Sequence, residues 1–420
     1  MTKLGEGALA LLEYAAMLAA WPGRAREPGR LSPARILVIA YSRIGDLIFL
    51  LPALEAVRKE WPEAKITFVA NRYPSHLELL PAFGLVDELW LYELEELERW
   101  RTRREITARI RAGSFDVAIV GQASKPRAFG AGLLSVPVRV GHCVRVEPAA
   151  AGWSAPRLWL WRLRRAFGRQ ELERRLVLNR KVWLAGDGAH AVERNLALAR
   201  ALGIETKPAA QAKPRLALPE EARVKARARL ADAPGRLTLG LHLGSAATTG
   251  YAKLWPAERW AETLEIVRAG TPMRVALFGG PGEEDSVAVF RRGFGGEVLD
   301  FVATPRLLET FALIERCGLF LSSDTGLSKA AMALGVPTVA VWGPVERSGY
   351  GKIWDPERHF EVYREMPCAP CVRFGLPLEG PGVINYTNCG HHDCLARLEP
   401  ASVAEAVRRA AKIELPEEKR

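Results

Sequence analysis

The chain has 420 residues, 49% apolar and 25% charged, a globular balance that excludes a disordered or low-complexity protein. Its net charge of +11 favours anionic partners, and six cysteines in this length do not make a secreted disulfide scaffold. No apolar run is long enough to span a bilayer. The first 34 residues lack the basic start and clean apolar core of a secretory signal. Glu13 interrupts the apolar run from Ala8 to Trp21, which reads as an amphipathic helix ended by Pro22-Gly23. Such a helix lies on its own domain or on a membrane surface, and the chain as a whole reads as cytoplasmic.

ILVIA at residues 36–40 reads as a buried strand of a parallel sheet. It leads into Tyr41-Ser42-Arg43-Ile44-Gly45-Asp46, and a helix is predicted from Leu47 to Glu60, with Ile48, Leu51, Leu54 and Val57 on one face. Residues 66–70, 116–120 and 138–141 supply further strands, so the first half reads as a doubly wound α/β domain. Asp46 stands at the lip of the ligand crevice of such a sheet, where a carboxylate can take a proton from a hydroxyl. Equally, Asp in that place caps a helix.

Between Gly152 and Lys181 there are nine basic and two acidic residues, with Trp153, Trp159 and Trp161 interleaved among Arg157, Arg162, Arg164, Arg165 and Arg169. Arg forks onto phosphate and Trp suits a boundary between water and apolar matter. The run therefore fits an anionic, lipid-linked acceptor or, more plainly, a solvated helix face. No nucleic-acid-binding module is visible. Residues 202–235, rich in Pro, Ala and charge, read as a linker with a short helix.

The second half repeats one unit three times. LTLGLHL at 237–243 ends in a loop holding Ser245, Thr248 and Thr249, with Lys253 just beyond and a helix over 257–268. A Gly/Ser/Thr loop followed by Lys can cradle a diphosphate, although the P-loop pattern is absent. The strand at 273–278 runs into Gly279-Gly280-Pro281-Gly282-Glu283-Glu284-Asp285, where a carboxylate can bond ribose hydroxyls or cap the next helix. The strand at 319–321 then meets the turn Ser322-Ser323-Asp324-Thr325-Gly326, followed by a helix closed by Gly335 and a strand at 338–341. The exposed N-terminus of that helix offers free N–H groups and the positive end of its dipole, which together suit phosphate. Three such loops fall on one sheet edge.

Near the C-terminus, Cys368 and Cys371 are followed by Cys389 and Cys394, and a last amphipathic helix covers 400–413. A structural zinc, a reversible disulfide and plain thiols are all open for this loose spacing.

These motifs together resemble glycosyltransferase family 9, the bacterial lipopolysaccharide heptosyltransferases. The resemblance runs from about Ile36 to the end, on ILVIAYSRIGDLIFLLPAL, HLGSAATTGYAKLWPAERWAE, LFGGPGEED, SSDTGLSKAAMALGVPTVAVWGP and CAPC…CGHHDCLARLEP. It implies two facing Rossmann-like domains of the GT-B type. Residues 1–34 would form a helical extension, 35–201 an acceptor-binding domain, 202–235 the linker and 236–420 a nucleotide-sugar-binding domain. It implies inverting transfer of a sugar, usually heptose from ADP-heptose, to a lipid-linked core oligosaccharide at the inner membrane surface, with no cofactor needed for the chemistry. Asp46 matches the general base. Thr248, Thr249 and Lys253 match the phosphate loop, Glu283 or Glu284 the ribose carboxylate, and Asp324, Thr325 and Gly326 the phosphate turn and donor-sugar site, with Ser245 also expected to bind the donor. Arg43, Arg162 and Arg165 are the residues expected to meet an anionic acceptor. Lys329 stands where the family usually has His, and is expected to face the donor. The N-terminal extension and the Arg/Trp run also depart from the usual pattern.

Overall fold

The computed structural model describes residues 31–93, 95–121, 126–144, 176–184, 188–244, 253–304, 306–373, 376–377 and 389–414. The chain folds as two compact units. The first comprises the described parts of Met1–Ser42, Leu50–Asp187 and Val192–Lys207, and the second those of Arg43–Phe49, Gly188–Ala191 and Pro208–Arg420. The extension predicted over residues 8–21 and most of the Arg/Trp run lie outside the described residues.

The first unit is built on a parallel sheet of β1 (Arg35–Ile39), β2 (Lys65–Ala70), β3 (Glu88–Leu91), β4 (Val117–Val120), β5 (Val138–Val144) and β6 (Arg180–Leu184). The strands lie in the order β3-β2-β1-β4-β5-β6. β1 sits between β2 and β4, and its apolar run is buried on both faces, as a central parallel strand requires. Leu37, Ile39, Val69, Ile106, Ile110, Phe115, Phe129 and Leu133 form one continuous core on this sheet. The helix Ile44–Glu60 begins earlier than predicted, and Leu47 to Leu51 are buried on every side rather than along one stripe.

The second unit repeats the plan. Its sheet comprises β7 (Leu237–His242), β8 (Met273–Gly279), β9 (Val298–Val302), β10 (Leu319–Ser323), β11 (Thr338–Trp342) and β12 (His359–Tyr363). The order is β12-β11-β10-β7-β8-β9. Counted within its own unit, each sheet therefore has the Rossmann strand order, with the direction of winding reversing between its first and fourth strands. In the second sheet that switch point falls between β7 and β10, where Ser322 pairs with His242 at the carboxyl ends.

Apolar spacing decides which helix faces turn inward. In Ala257–Arg268, the residues Trp260, Ala261, Leu264 and Val267 are buried at helical intervals. They meet Val403, Ala404, Val407, Ala410 and Ala411 of the closing helix Pro400–Glu414 in one core. Residues 202–235 carry a helix of their own, Glu220–Arg229, and bury Leu216, Leu218, Ala222, Ala226 and Leu230. The helix Gly326–Ala333 stops at Gly335, whose φ of +80° suits glycine. Gly335 N–H bonds Met332 O at 3.1 Å and Val336 N–H bonds Ala331 O at 2.9 Å, the paired bonds of a Schellman motif. That stop turns the chain directly into β11.

Candidate functional site

The switch point of the second sheet gathers the chemistry. β10 ends at Ser323, and Asp324 follows with its N–H bonded to Val341 O at 3.0 Å. Thr325 is the N-cap of the helix Gly326–Ala333 in extended conformation. The Ser328 hydroxyl donates to Thr325 O at 2.7 Å and accepts the Thr325 N–H at 3.4 Å, which fixes the turn. The first N–H groups of that helix follow directly on the Asp324 carboxylate.

Asp324 is buried, and two ammonium groups hold it. Lys253 Nζ lies 2.7 Å from Oδ2 and Lys329 Nζ 2.8 Å from Oδ1. Burial opposes the charge on Asp324, but the two lysines outweigh it and hold the carboxyl well below the usual range. The lysines differ in access: the Lys253 side chain is 26% exposed and that of Lys329 5%. Lys329 also lies over the Trp342 ring, 4.5 Å from its centroid. The basic residue early in the helix thus has a structural reason: the Asp324 carboxylate and an aromatic face offset the unfavourable end of the dipole. Its charge is taken up inside the protein.

The segment Arg43–Phe49 belongs to the same unit and closes against this turn. A Cβ on Gly326 would come within 2.6 Å of Ile44 Cβ and 3.0 Å of Gly45 N. A Cβ on Gly45 would sit 3.5 Å from Gly326 Cα and 3.3 Å from Lys329 Cγ. Two glycines face to face therefore let the start of the helix Ile44–Glu60 meet the start of Gly326–Ala333. Asp46, in the first turn of the former, accepts the Arg43 N–H at 3.4 Å, a long bond of the kind an acidic third residue makes to its N-cap. Asp46 is exposed by its surface area. The protein crowded around it nevertheless displaces enough water to raise its carboxyl above the ordinary range; Asp324 adds to this, while the Arg43 N–H and the charges of Lys253 and Arg43 oppose it. A carboxylate moved toward neutrality beside a cationic pocket is chemically suited to accept a proton.

The structure separates the two glutamates. The Glu283 carboxylate fills the place that a Cβ on Gly244 would take, 1.9 Å from Oε1, and accepts the Gly280 N–H at 2.9 Å. His242 Nε2 lies 3.3 Å from its Oε2. Burial works against the Glu283 charge, but the His242 contact and the Gly280 N–H outweigh it and lower its pKa. Glu284 instead stays at the surface in the first helical turn and accepts the Gly282 N–H. His242, buried at the end of β7, did not stand out in the sequence, because a histidine closing an apolar strand looks like a core residue.

Ser245, Thr248, Thr249, Arg162 and Arg165 lie outside the described residues. Arg43 stands at the N-cap of the helix carrying Asp46. The zinc expectation finds no support: among the described residues no group of three or more His, Cys, Asp or Glu side chains could hold a metal ion, and no disulfide joins Cys368, Cys371, Cys389 or Cys394.

Comparison with known proteins bears on the family and the fold. Lipopolysaccharide heptosyltransferase 1 of Escherichia coli (strain K12) is 28% identical over 336 residues, covering 76% of this chain and 91% of its own length. The Pseudomonas aeruginosa protein of the same name is 25% identical over 387 residues, covering 88% of this chain and 96% of its own length. Among solved structures, the glycosyl transferase family 9 protein of Veillonella parvula superposes with a TM-score of 0.65 at 20% identity, covering 93% of this chain and 99% of its own. The E. coli ADP-heptose lps heptosyltransferase II does so with a TM-score of 0.62 at 21% identity, covering 91% and 99%. The sequence profile of glycosyltransferase family 9 (heptosyltransferase) matches residues 162–379, about half of the chain. The fold is the GT-B arrangement of two Rossmann-like domains, and the chain belongs to glycosyltransferase family 9.

Proposed function

We propose that this glycosyltransferase moves heptose from ADP-heptose to a lipopolysaccharide core or a related anionic lipid-linked acceptor, with inversion at the anomeric carbon. The observation that carries the reading is the convergence of Asp46, Lys253, Asp324 and the Thr325–Gly326 helix start within one unit. The relatives named for heptose transfer and the structure named for ADP-heptose support the choice of sugar and nucleotide.

In this mechanism Asp46 takes the proton of an acceptor hydroxyl. The oxygen attacks the anomeric carbon from the face opposite the diphosphate, and the bond to the diphosphate breaks. Negative charge grows on the leaving group. Lys253, the more accessible of the two lysines, and the N–H groups at the start of Gly326–Ala333 stabilise it. The phosphate loop residues Ser245, Thr248 and Thr249 would add hydroxyl donors. Glu283 takes the ribose role in preference to Glu284, since only its carboxylate is seated at the switch point. Lys329 shapes the donor site by fixing Asp324. Every group invoked in this mechanism belongs to the chain. The net charge of +11 suits a phosphorylated acceptor at an anionic membrane surface, with Arg43, Arg162 and Arg165 as its expected contacts, and no described helix is long and apolar enough to cross a membrane.

A panel of nucleotide sugars tests the reading. ADP-heptose should raise the melting temperature most, because a ligand bound only by the folded chain stabilises it. A larger rise with another sugar nucleotide would move the assignment to that donor.

A further inference from the structure

His242 touches two of the elements assigned above to the donor and belongs to neither. Its Nε2 lies 3.3 Å from Glu283 Oε2, in the loop after β8. Its Nδ1 lies 3.3 Å from Thr325 Oγ1, at the start of the helix Gly326–Ala333. The ring is buried and so cannot exchange these partners for water.

The direction of each bond follows from the chemistry of the partners. An ionised Glu283 only accepts, so Nε2 must carry a hydrogen. In the neutral ring Nδ1 is then an acceptor, and the one proton of the Thr325 hydroxyl is spent on it. When the ring takes up a proton, Nδ1–H donates instead and Thr325 Oγ1 accepts. The hydroxyl proton is released and can point to an anionic oxygen lying against the helix start.

We infer that His242 is a positioning residue that sets the direction of the Thr325 hydroxyl, and that protonation of its ring turns this hydroxyl into a donor for the diphosphate of the bound nucleotide sugar. The inference rests on the donor site proposed above. The charged groups facing the pair are Glu283 from the β8 side and the Asp324–Lys253–Lys329 cluster from the β10 side, with Asp46 within electrostatic range of Asp324. Glu283 and Asp324 are held ionised below the usual range, so neither changes its charge across the pH interval of the test.

The test is calorimetric binding of ADP-heptose, without acceptor, from pH 8 to pH 6 on the full chain. The diphosphate of a nucleotide sugar is doubly esterified and does not titrate in this interval. The parent should bind at least about threefold more tightly at pH 6 than at pH 8. His242→Gln and Thr325→Val should bind more weakly than the parent at pH 6, with little pH dependence. The double variant should be no worse than either single one, because both remove the same bond. Melting curves confirm that each variant is folded. A variant of either residue that keeps the parent's pH slope overturns the inference and leaves the donor site standing. No binding of ADP-heptose by the parent at any pH overturns the proposed function, and this inference with it.

Discussion

Lys329 holds Oδ1 of Asp324 at 2.8 Å while both side chains lie almost entirely out of water. With Lys253 on the other oxygen, the carboxylate that closes β10 is fixed at both ends. Breaking one side of a buried pair leaves an uncompensated charge, at a typical cost of about 3–5 kcal/mol. Lys329→Met should lose somewhat less, about 2–3 kcal/mol, because Lys253 still pairs with Asp324. Lys329→His should retain more stability and shift relative turnover among nucleotide sugars. Denaturant unfolding checks the first, and a donor panel the second; an unchanged donor profile would show that Lys329 serves the fold alone.

Asp46→Asn should keep donor affinity and lower kcat by about a hundredfold or more, the loss expected for a general base. The pH profile carries the sign. Asp46 works ionised and its carboxyl is raised, so the parent's rate should fall as pH drops through that raised value. The variant should lack this limb. If it transfers sugar at the parent rate, Asp46 is only the acidic residue of a helix cap.

Lys253→Ala should weaken binding of ADP by about 1.5–3 kcal/mol, the worth of a charged hydrogen bond. The loss has a second source: Asp324, freed from one partner, then presents more of its negative charge to the diphosphate. Titration calorimetry with ADP measures the effect, and unchanged affinity removes Lys253 from the site.

His359 gives a stability prediction away from the chemistry. Its Nδ1 lies 2.9 Å from Thr338 Oγ1 in a buried setting. Burial, helped by the Lys213 charge and opposed by Asp355, lowers its pKa from 6.5 to about 4. The unfolded chain therefore takes up this proton first as pH falls. Stability present in full above pH 6.5 is lost on the way down to about 4, by up to about 3 kcal/mol. The melting temperature of the parent should drop more steeply between pH 7 and pH 4.5 than that of His359→Asn. Equal slopes would show that the acid loss arises elsewhere.

The central strands were legible because they are buried on both faces: ILVIA, LTLGLHL and the run at 319–321 are apolar almost throughout. β3, β6, β9 and β12 were not, since each lies at or near a sheet edge and carries charge, as in ELWL, RKVWL, VLDFV and HFEVY. An edge strand tolerates solvent and so loses the pattern that betrays a core strand. At the site, Asp46, Lys253 and Asp324 could be placed because their position after a strand fixes the edge they occupy. Which glutamate turned inward could not be read, because Glu283 and Glu284 are adjacent and only the absent side chain of Gly244 makes room for the first. The role of His242 needed three loops to be brought together in space.

The most direct measurement follows a lipopolysaccharide acceptor lacking heptose, incubated with ADP-heptose and either the parent or Asp46→Asn. The account predicts that the parent releases one ADP for each heptose added, with the anomeric configuration opposite to that of the donor, and that the variant binds the donor but scarcely turns over. Heptose transfer by Asp46→Asn at the parent rate, or retention of the donor's configuration, would contradict it.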